Sequence, residues 1–162
     1  MQELSHEQIK QAFEHKKRAP IVPNLGRVNW DHLDYFGWIH PAGHLGYIVV
    51  PLANEELRGL ELRRSMASVR NPRFEMCSWC NHVHRSAGTA MFSTIVRGSD
   101  ERKTIGNQMC RNLDCSLRIR NLTSEPLSYM SETIDLDNKI SRLQNSLYRF
   151  LHQSNRLYSM EQ

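Results

Sequence analysis

Hydrophobic positions change their period several times along this chain, and each change marks a different element. Leu4, Ile9, Ala12 and Phe13 fall near one helical face, and Ser5 follows Leu4 with Gln8 three residues on, the pattern of a capping box. A helix over about 5–17 is predicted, ended by Pro20 and Pro23. The stretch VNWDHLDYFGWIHPAGHLGYIVVPL is rich in aromatic and β-branched residues and is interrupted by Gly37, Gly43 and Gly46, which predicts short strands joined by turns. Its clearest strand is Gly46 to Leu52, followed by a turn at Asn54 to Glu56 and a partner strand at Gly59 to Arg64. TAMFSTIV, Thr89 to Val96, is a further strand between Gly88 and Gly98, and a charged loop follows at Asp100 to Lys103. A short helix is expected to begin at Cys115 with Asp114 as its cap. After Pro126, Ile134, Ile140, Leu143, Leu147, Phe150 and Leu151 recur at helical spacing and predict an amphipathic helix at about 134–153.

Composition adds boundaries to this outline. With 162 residues, 40% hydrophobic and 23% charged, the chain has the mix of a globular protein, and its length suits one domain over 1–154 with a frayed tail at 155–162. No run of about 18 apolar residues exists to span a membrane, and the first residues lack the apolar core of a signal peptide. A cytoplasmic protein with reduced cysteines is expected. Aromatics at the density of Trp30 and Trp38 read as core rather than as a binding groove, and the loosely spaced His32, His40 and His44 do not make a second metal site.

Charge is unevenly placed. Between Arg63 and Arg120 there are 11 Arg/Lys against 4 Asp/Glu, a net of +7, whereas the whole chain carries only +4. A basic face of this kind suits nucleic acid or an acidic protein surface.

The same basic segment holds all four cysteines. Cys77-Ser-Trp-Cys80 presents two sulfurs from one tight turn, and Cys110 and Cys115, with four residues between them, suit one ligand in a turn and one in the first turn of a helix. Knuckle, hairpin and helix start in that order make a treble-clef zinc finger. One structural zinc ion held by Cys77, Cys80, Cys110 and Cys115 is expected. The fold class is therefore α+β: a small antiparallel sheet with a four-cysteine treble clef spanning about 74–122, flanked by an N-terminal and a C-terminal helix.

Four sulfurs close the coordination shell, so a catalytic zinc is disfavoured. His82 and His84 stand close to Cys80 and are expected to donate N–H groups to sulfur or to face solvent rather than to ligate. No Gly-rich phosphate loop, nucleophile elbow or His-Glu-x-x-His element is present, so there is no catalytic residue to nominate.

The segments NWDHLDYFGWIHP, LELRRS, MCSWCNHVH and IGNQMCRNLDCSLRIR, with a Leu/Phe-rich helix last, resemble the elongation factor G-binding family, whose best-known members are the FusB-type fusidic acid resistance proteins. The similarity runs from about Leu4 to Phe150 and is strongest to the short form found in actinobacteria. The resemblance implies a treble clef on the same four cysteines and a non-enzymatic function: binding elongation factor G and promoting its release from the ribosome. A zinc-finger module for RNA or the ribosome is the alternative that the basic segment supports. A small-molecule substrate and a membrane partner are not expected. A protein partner needs an exposed anchor, and Trp79 inside the knuckle turn is expected to point outward as one. Arg111, Arg118 and Arg120 are the next candidates, although about 200° of helical rotation separates Arg118 from Arg120. Tyr148 is a further exposed candidate on the last helix, and Phe150 is expected in the core.

Overall fold

The computed structural model of the protein describes residues 1–13, 19–65 and 73–155. Among the described residues seven strands and three α-helices are formed: α1 His6–Gln11, β1 Phe36–Ile39, β2 Leu45–Pro51, β3 Leu57–Ser65, β4 Phe74–Met76, β5 Val83–Arg85, β6 Thr89–Ile95, β7 Thr104–Cys110, α2 Cys115–Ile119 and α3 Leu136–Asn155. Five strands make one sheet in the order β1-β2-β3-β6-β7, antiparallel throughout, and β4 with β5 forms a separate hairpin.

Why β2 reads as a solid hydrophobic run follows from what covers the sheet. Tyr47 and Val49 point to one face, where they meet Leu4, Ile9, Phe13, Trp30, Phe36 and Trp38. Ile48 and Val50 point to the other, which carries Trp79, Phe92, Leu143, Leu147 and the cysteines. A strand buried on both faces loses the usual alternation. Trp30 and Trp38 belong to the first of these cores, as their density implied. The stacked rings of Trp38 and Tyr47, 5.2 Å apart, lie beneath the edge of Phe13.

At α1 the capping box is present: Gln8 N donates to Ser5 Oγ at 3.2 Å and Ser5 N donates to Gln8 Oε1 at 2.8 Å. The helix is shorter than its pattern suggested, turning at Ala12, and positions 14–17 of the expected helix lie outside the described residues. Ala12 is fixed by the sheet. Its carbonyl accepts from Gly59 N at 3.0 Å, and a Cβ on Gly59 would stand 2.6 Å from that oxygen, so the close approach of α1 to β3 requires glycine there.

The terminal helix begins at Leu136 rather than 134 because Asp135 caps it, its Oδ1 accepting from Asn138 N at 2.8 Å. Ile134 is left outside, 40% exposed. Leu143, Leu147, Phe150 and Leu151 are buried along one face, and Ile140 packs at its edge. At about 1.5–3 kcal/mol per buried side chain, those four alone gain an amount comparable to a domain's whole net stability of about 5–15 kcal/mol. The helix runs to Asn155, the first residue of the tail expected to fray at 155–162, and the remainder of that tail, 156–162, lies outside the described residues.

Candidate metal centre and its surroundings

Two tight turns bring the sulfurs together. In the first, between β4 and β5, Cys77 N donates to His82 O and Asn81 N to Cys77 O, each at 3.0 Å, and Asn81 takes a left-handed φ of 57°. In the second, after β7, Leu113 N donates to Cys110 O at 2.9 Å and Leu113 takes φ 58°. Asparagine tolerates that conformation, whereas leucine is strained in it. Leu113 is also buried, so packing holds the turn that delivers Cys115 to the site.

All four Sγ atoms lie within 4.8 Å of one another, and all four cysteines are buried. Cys77 and Cys115 are 3.7 Å apart at sulfur, Cys80 and Cys110 3.4 Å, far longer than a disulfide. Four Zn–S bonds of about 2.3 Å in a tetrahedron give edges of about 3.8 Å, so this donor set has the spacing and chemistry of a structural zinc site.

The surroundings suit thiolate charge. Trp79 N points at Cys77 Sγ, 3.4 Å away. His84 Nε2 lies 3.4 Å from Cys110 Sγ, and burial, with Arg118 and His82 nearby, lowers its pKa to about 4. A neutral imidazole can donate N–H to sulfur at this distance, the role expected of His84 beside the ligands. A Cβ on Gly88 would collide with the His84 side chain, so that glycine makes room for the ring. The buried Tyr35 hydroxyl has no partner other than these sulfurs to turn to, and burial together with Cys115, Cys110 and Cys77 holds it well above the usual phenol range.

Behind the sulfurs, Arg118 is 1% exposed at its side chain. Its Nε and Nη2 donate to Asp114 at 2.8 and 3.0 Å, and Nη2 donates to Glu125 at 2.6 Å. Burial opposes its charge, but the two carboxylates outweigh that and hold the guanidinium above its usual pKa. Asp114 therefore does not cap α2 with its side chain, as the sequence suggested. It makes no cap hydrogen bond, because its carboxylate is taken by Arg118 one turn later.

This changes the picture of the candidate partner residues. Trp79 does not point outward: it is 0% exposed, edge-on to Tyr35 at 5.7 Å and to Phe150 at 5.6 Å. With the Asn107 amide oriented to satisfy its neighbours, its oxygen accepts from Trp79 Nε1 at 2.9 Å. The turn faces inward because Ser78 N donates to Gln108 O of β7 at 2.8 Å, which lays the knuckle against the sheet with α3 over it. Arg120 donates to Asp34 at 2.7 Å and is 13% exposed at its side chain, and Gln144 of α3 shares that carboxylate at 3.2 Å. Arg111 is the most open of the three at 38%, donating to Ala87 O and to Glu125. Arg118 and Arg120 do point apart, to different carboxylates. Phe150 is in the core, and Tyr148 is on the surface with its hydroxyl donating to Pro51 O.

Several residues of this centre had no local signal in the chain. Glu125 lies after the treble clef and joins Arg111 to Arg118. Glu75 accepts from Thr89 Oγ1 at 2.7 Å, tying the knuckle hairpin to β6. Burial pushes its carboxyl up, but Thr89 and Arg73 more than offset this and hold it below the usual range.

Comparison with known proteins agrees with this geometry. A family model described as the FBP C-terminal treble-clef zinc-finger matches residues 8–153. Among solved structures, one titled "Structure of the fusidic acid resistance protein FusC" superposes with a TM-score of 0.59 at 18% identity, covering 96% of this chain. The chain spans 60% of the length of that structure, and at this identity the likeness is one of fold. No curated protein matches the sequence closely enough to count as a relative.

Proposed function

The chain belongs to the FBP C-terminal treble-clef zinc-finger family, and from that premise we propose that it is a non-enzymatic binding protein for translation elongation factor G that promotes the factor's release from the ribosome. The family match over residues 8–153 carries this reading, together with the resemblance of its cysteine segments to elongation factor G-binding proteins. A zinc ion bound by Cys77, Cys80, Cys110 and Cys115 supplies cross-linking, not chemistry: four sulfurs leave no open coordination position for a substrate. Release needs no catalysis. A protein that binds the factor better in its free conformation than in its ribosome-bound one shifts the population toward release by that difference in affinity.

The reading places the protein in the cytoplasm, and no described helix is long and apolar enough to cross a membrane. Resistance to fusidic acid is said of FusC and is not carried over here. Calorimetry of the zinc-loaded protein against purified elongation factor G, beside ribosomes alone, tests the proposal. Saturable binding to the factor is expected, and binding to ribosomes or RNA without binding to the factor would overturn it.

An RNA-binding module is the second reading, favoured by the net +7 between Arg63 and Arg120. Against it, Arg111, Arg118 and Arg120 are all engaged with carboxylates. An RNA binder's log affinity falls steeply with log salt, by about 0.7–0.9 per phosphate neutralised, and the same titrations would show this.

A further inference from the structure

With Trp79 and Arg118 buried, what a protein could grip near the metal centre lies on the outer face of the zinc hairpin. On β4, Phe74 and Met76 alternate with the buried Glu75, so both point away from the core, 66% and 54% exposed. Beside them runs the segment that follows Pro126, where Leu127, Tyr129 and Met130 are 65%, 51% and 66% exposed.

These two stretches are bound together. Tyr129 N donates to Val83 O at 3.0 Å, Val83 N donates to Ser128 Oγ at 2.9 Å, and the Phe74 and Tyr129 rings are 5.6 Å apart. The segment thus extends the zinc hairpin, and its apolar side chains are held in place by backbone anchored to the metal centre. Next to it opens a groove of about 240 Å³ that Leu127 and Met130 line with Asn81 and Lys139. Exposed Arg73 and Arg85 flank the hairpin, and the whole cysteine segment is basic.

Five large apolar side chains exposed on two segments joined by hydrogen bonds and by the Phe74–Tyr129 ring contact are costly in water and mark an interaction surface more often than chance. Their mixture indicates the kind of partner. Aromatic rings alone would suit stacked bases, but Met76, Leu127 and Met130 offer a base nothing to stack on. An apolar centre with methionine and aromatic residues inside a charged rim is the anatomy of a protein interface.

We propose that Phe74, Met76, Leu127, Tyr129 and Met130 form the docking surface for a protein partner whose matching face has an apolar centre and an acidic rim. This rests on the proposed function, with elongation factor G as the partner to be tested. The patch takes the place of Trp79 as the anchor, and the zinc ion's part is to stiffen the hairpin that displays it. Rigidity matters because a surface already ordered loses less conformational freedom on binding.

The experiment uses the full-length zinc-loaded chain and two single variants from the two segments, Phe74→Asp and Leu127→Asp. Zinc content and melting temperature are measured first, and a variant that keeps both is titrated with elongation factor G. The expected result is wild-type binding and a loss of at least about tenfold in each variant. Arg85→Glu is expected to slow association at low salt several-fold and to matter less at high salt. If the wild type binds and both folded variants bind equally well, the patch is not the interface while the proposed function stands. If the wild type does not bind the factor, the proposed function and this inference fall together. Two other results would also overturn it: wild type dimerising in sedimentation with monomeric variants, and patch-dependent binding of poly(U) with a steep salt slope.

Discussion

Replacing Trp79 by alanine gives the most direct test of how this centre is built, because an outward and an inward tryptophan predict opposite outcomes. The side chain is 0% exposed and lies between Tyr35, Phe150 and the cysteine turn. Truncating a buried aromatic residue to alanine costs about 3–5 kcal/mol. The Asn107 amide also loses the Nε1–H that it accepts, adding about 1 kcal/mol. A total of about 4–6 kcal/mol is a large share of a net stability of about 5–15 kcal/mol. For a chain of this length each kcal/mol moves the melting temperature by about 2–4 °C, so Trp79→Ala should melt about 8–24 °C lower. Trp79→Phe keeps a ring against Tyr35 and Phe150 and should recover more than half of the loss. Thermal unfolding by circular dichroism, with zinc content measured on the same samples, is the assay. A Trp79→Ala protein that melts within about 2 °C of wild type yet loses partner affinity would refute the buried position.

Other consequences can be tested in the same way. Stripping the zinc with a strong chelator, or Cys110→Ala, should unfold much of the chain, since structural zinc contributes on the order of 10 kcal/mol; unchanged circular dichroism after complete metal loss would contradict the site. Gly59→Ala should cost about 1–3 kcal/mol, because the new methyl meets the Ala12 carbonyl and the Phe13 ring and α1 must move away; wild-type denaturant midpoints would contradict the contact. Arg118 and Arg111 hold the Glu125 carboxyl below its usual pKa, and Arg142 does the same for Glu132. Depressed carboxyl groups contribute stability that is fully present above the unfolded value of about 4.3 and is lost as pH falls through the folded one. Glu125→Gln and Glu132→Gln should therefore each remove on the order of 1 kcal/mol at pH 7 and flatten the acid limb of stability below about pH 4.5, as followed by urea unfolding.

What could be seen in the chain and what could not divides by distance along it. The strands Leu45–Pro51 and Thr89–Ile95, the capping box at Ser5 and the cysteine turns are local patterns, each decided within a few residues by period, cap or ligand spacing. Contacts that join distant segments were invisible. Asp34 meets Ser116, Arg120 and Gln144 across separations of 82, 86 and 110 residues, and no periodicity announces such a carboxylate. Asp114 shows the limit within a single turn: its place before α2 predicts a cap, but the buried guanidinium of Arg118 competes for the same oxygens and takes them. A buried charge left without its partner costs far more than an uncapped helix end.

The direction of Trp79 is decided by the same competition, and it bears on function. A knuckle of four residues has no side of its own. It turns its tryptophan toward whatever apolar surface lies nearest, and here β7 and α3 supply that surface through Gln108 O, Asn107 and Phe150. Once Trp79 faces inward, the hairpin's outward face is left to the alternate positions Phe74 and Met76, whose apolar character has no use in the core. The basic charge of the segment divides likewise: Arg118 and Arg120 turn inward to Asp114, Glu125 and Asp34, and Arg73 and Arg85 stay outside. Burying one set of anchors therefore exposes another, and a partner meeting this protein at the metal centre meets Phe74 and Tyr129 before it meets anything that the sulfurs hold.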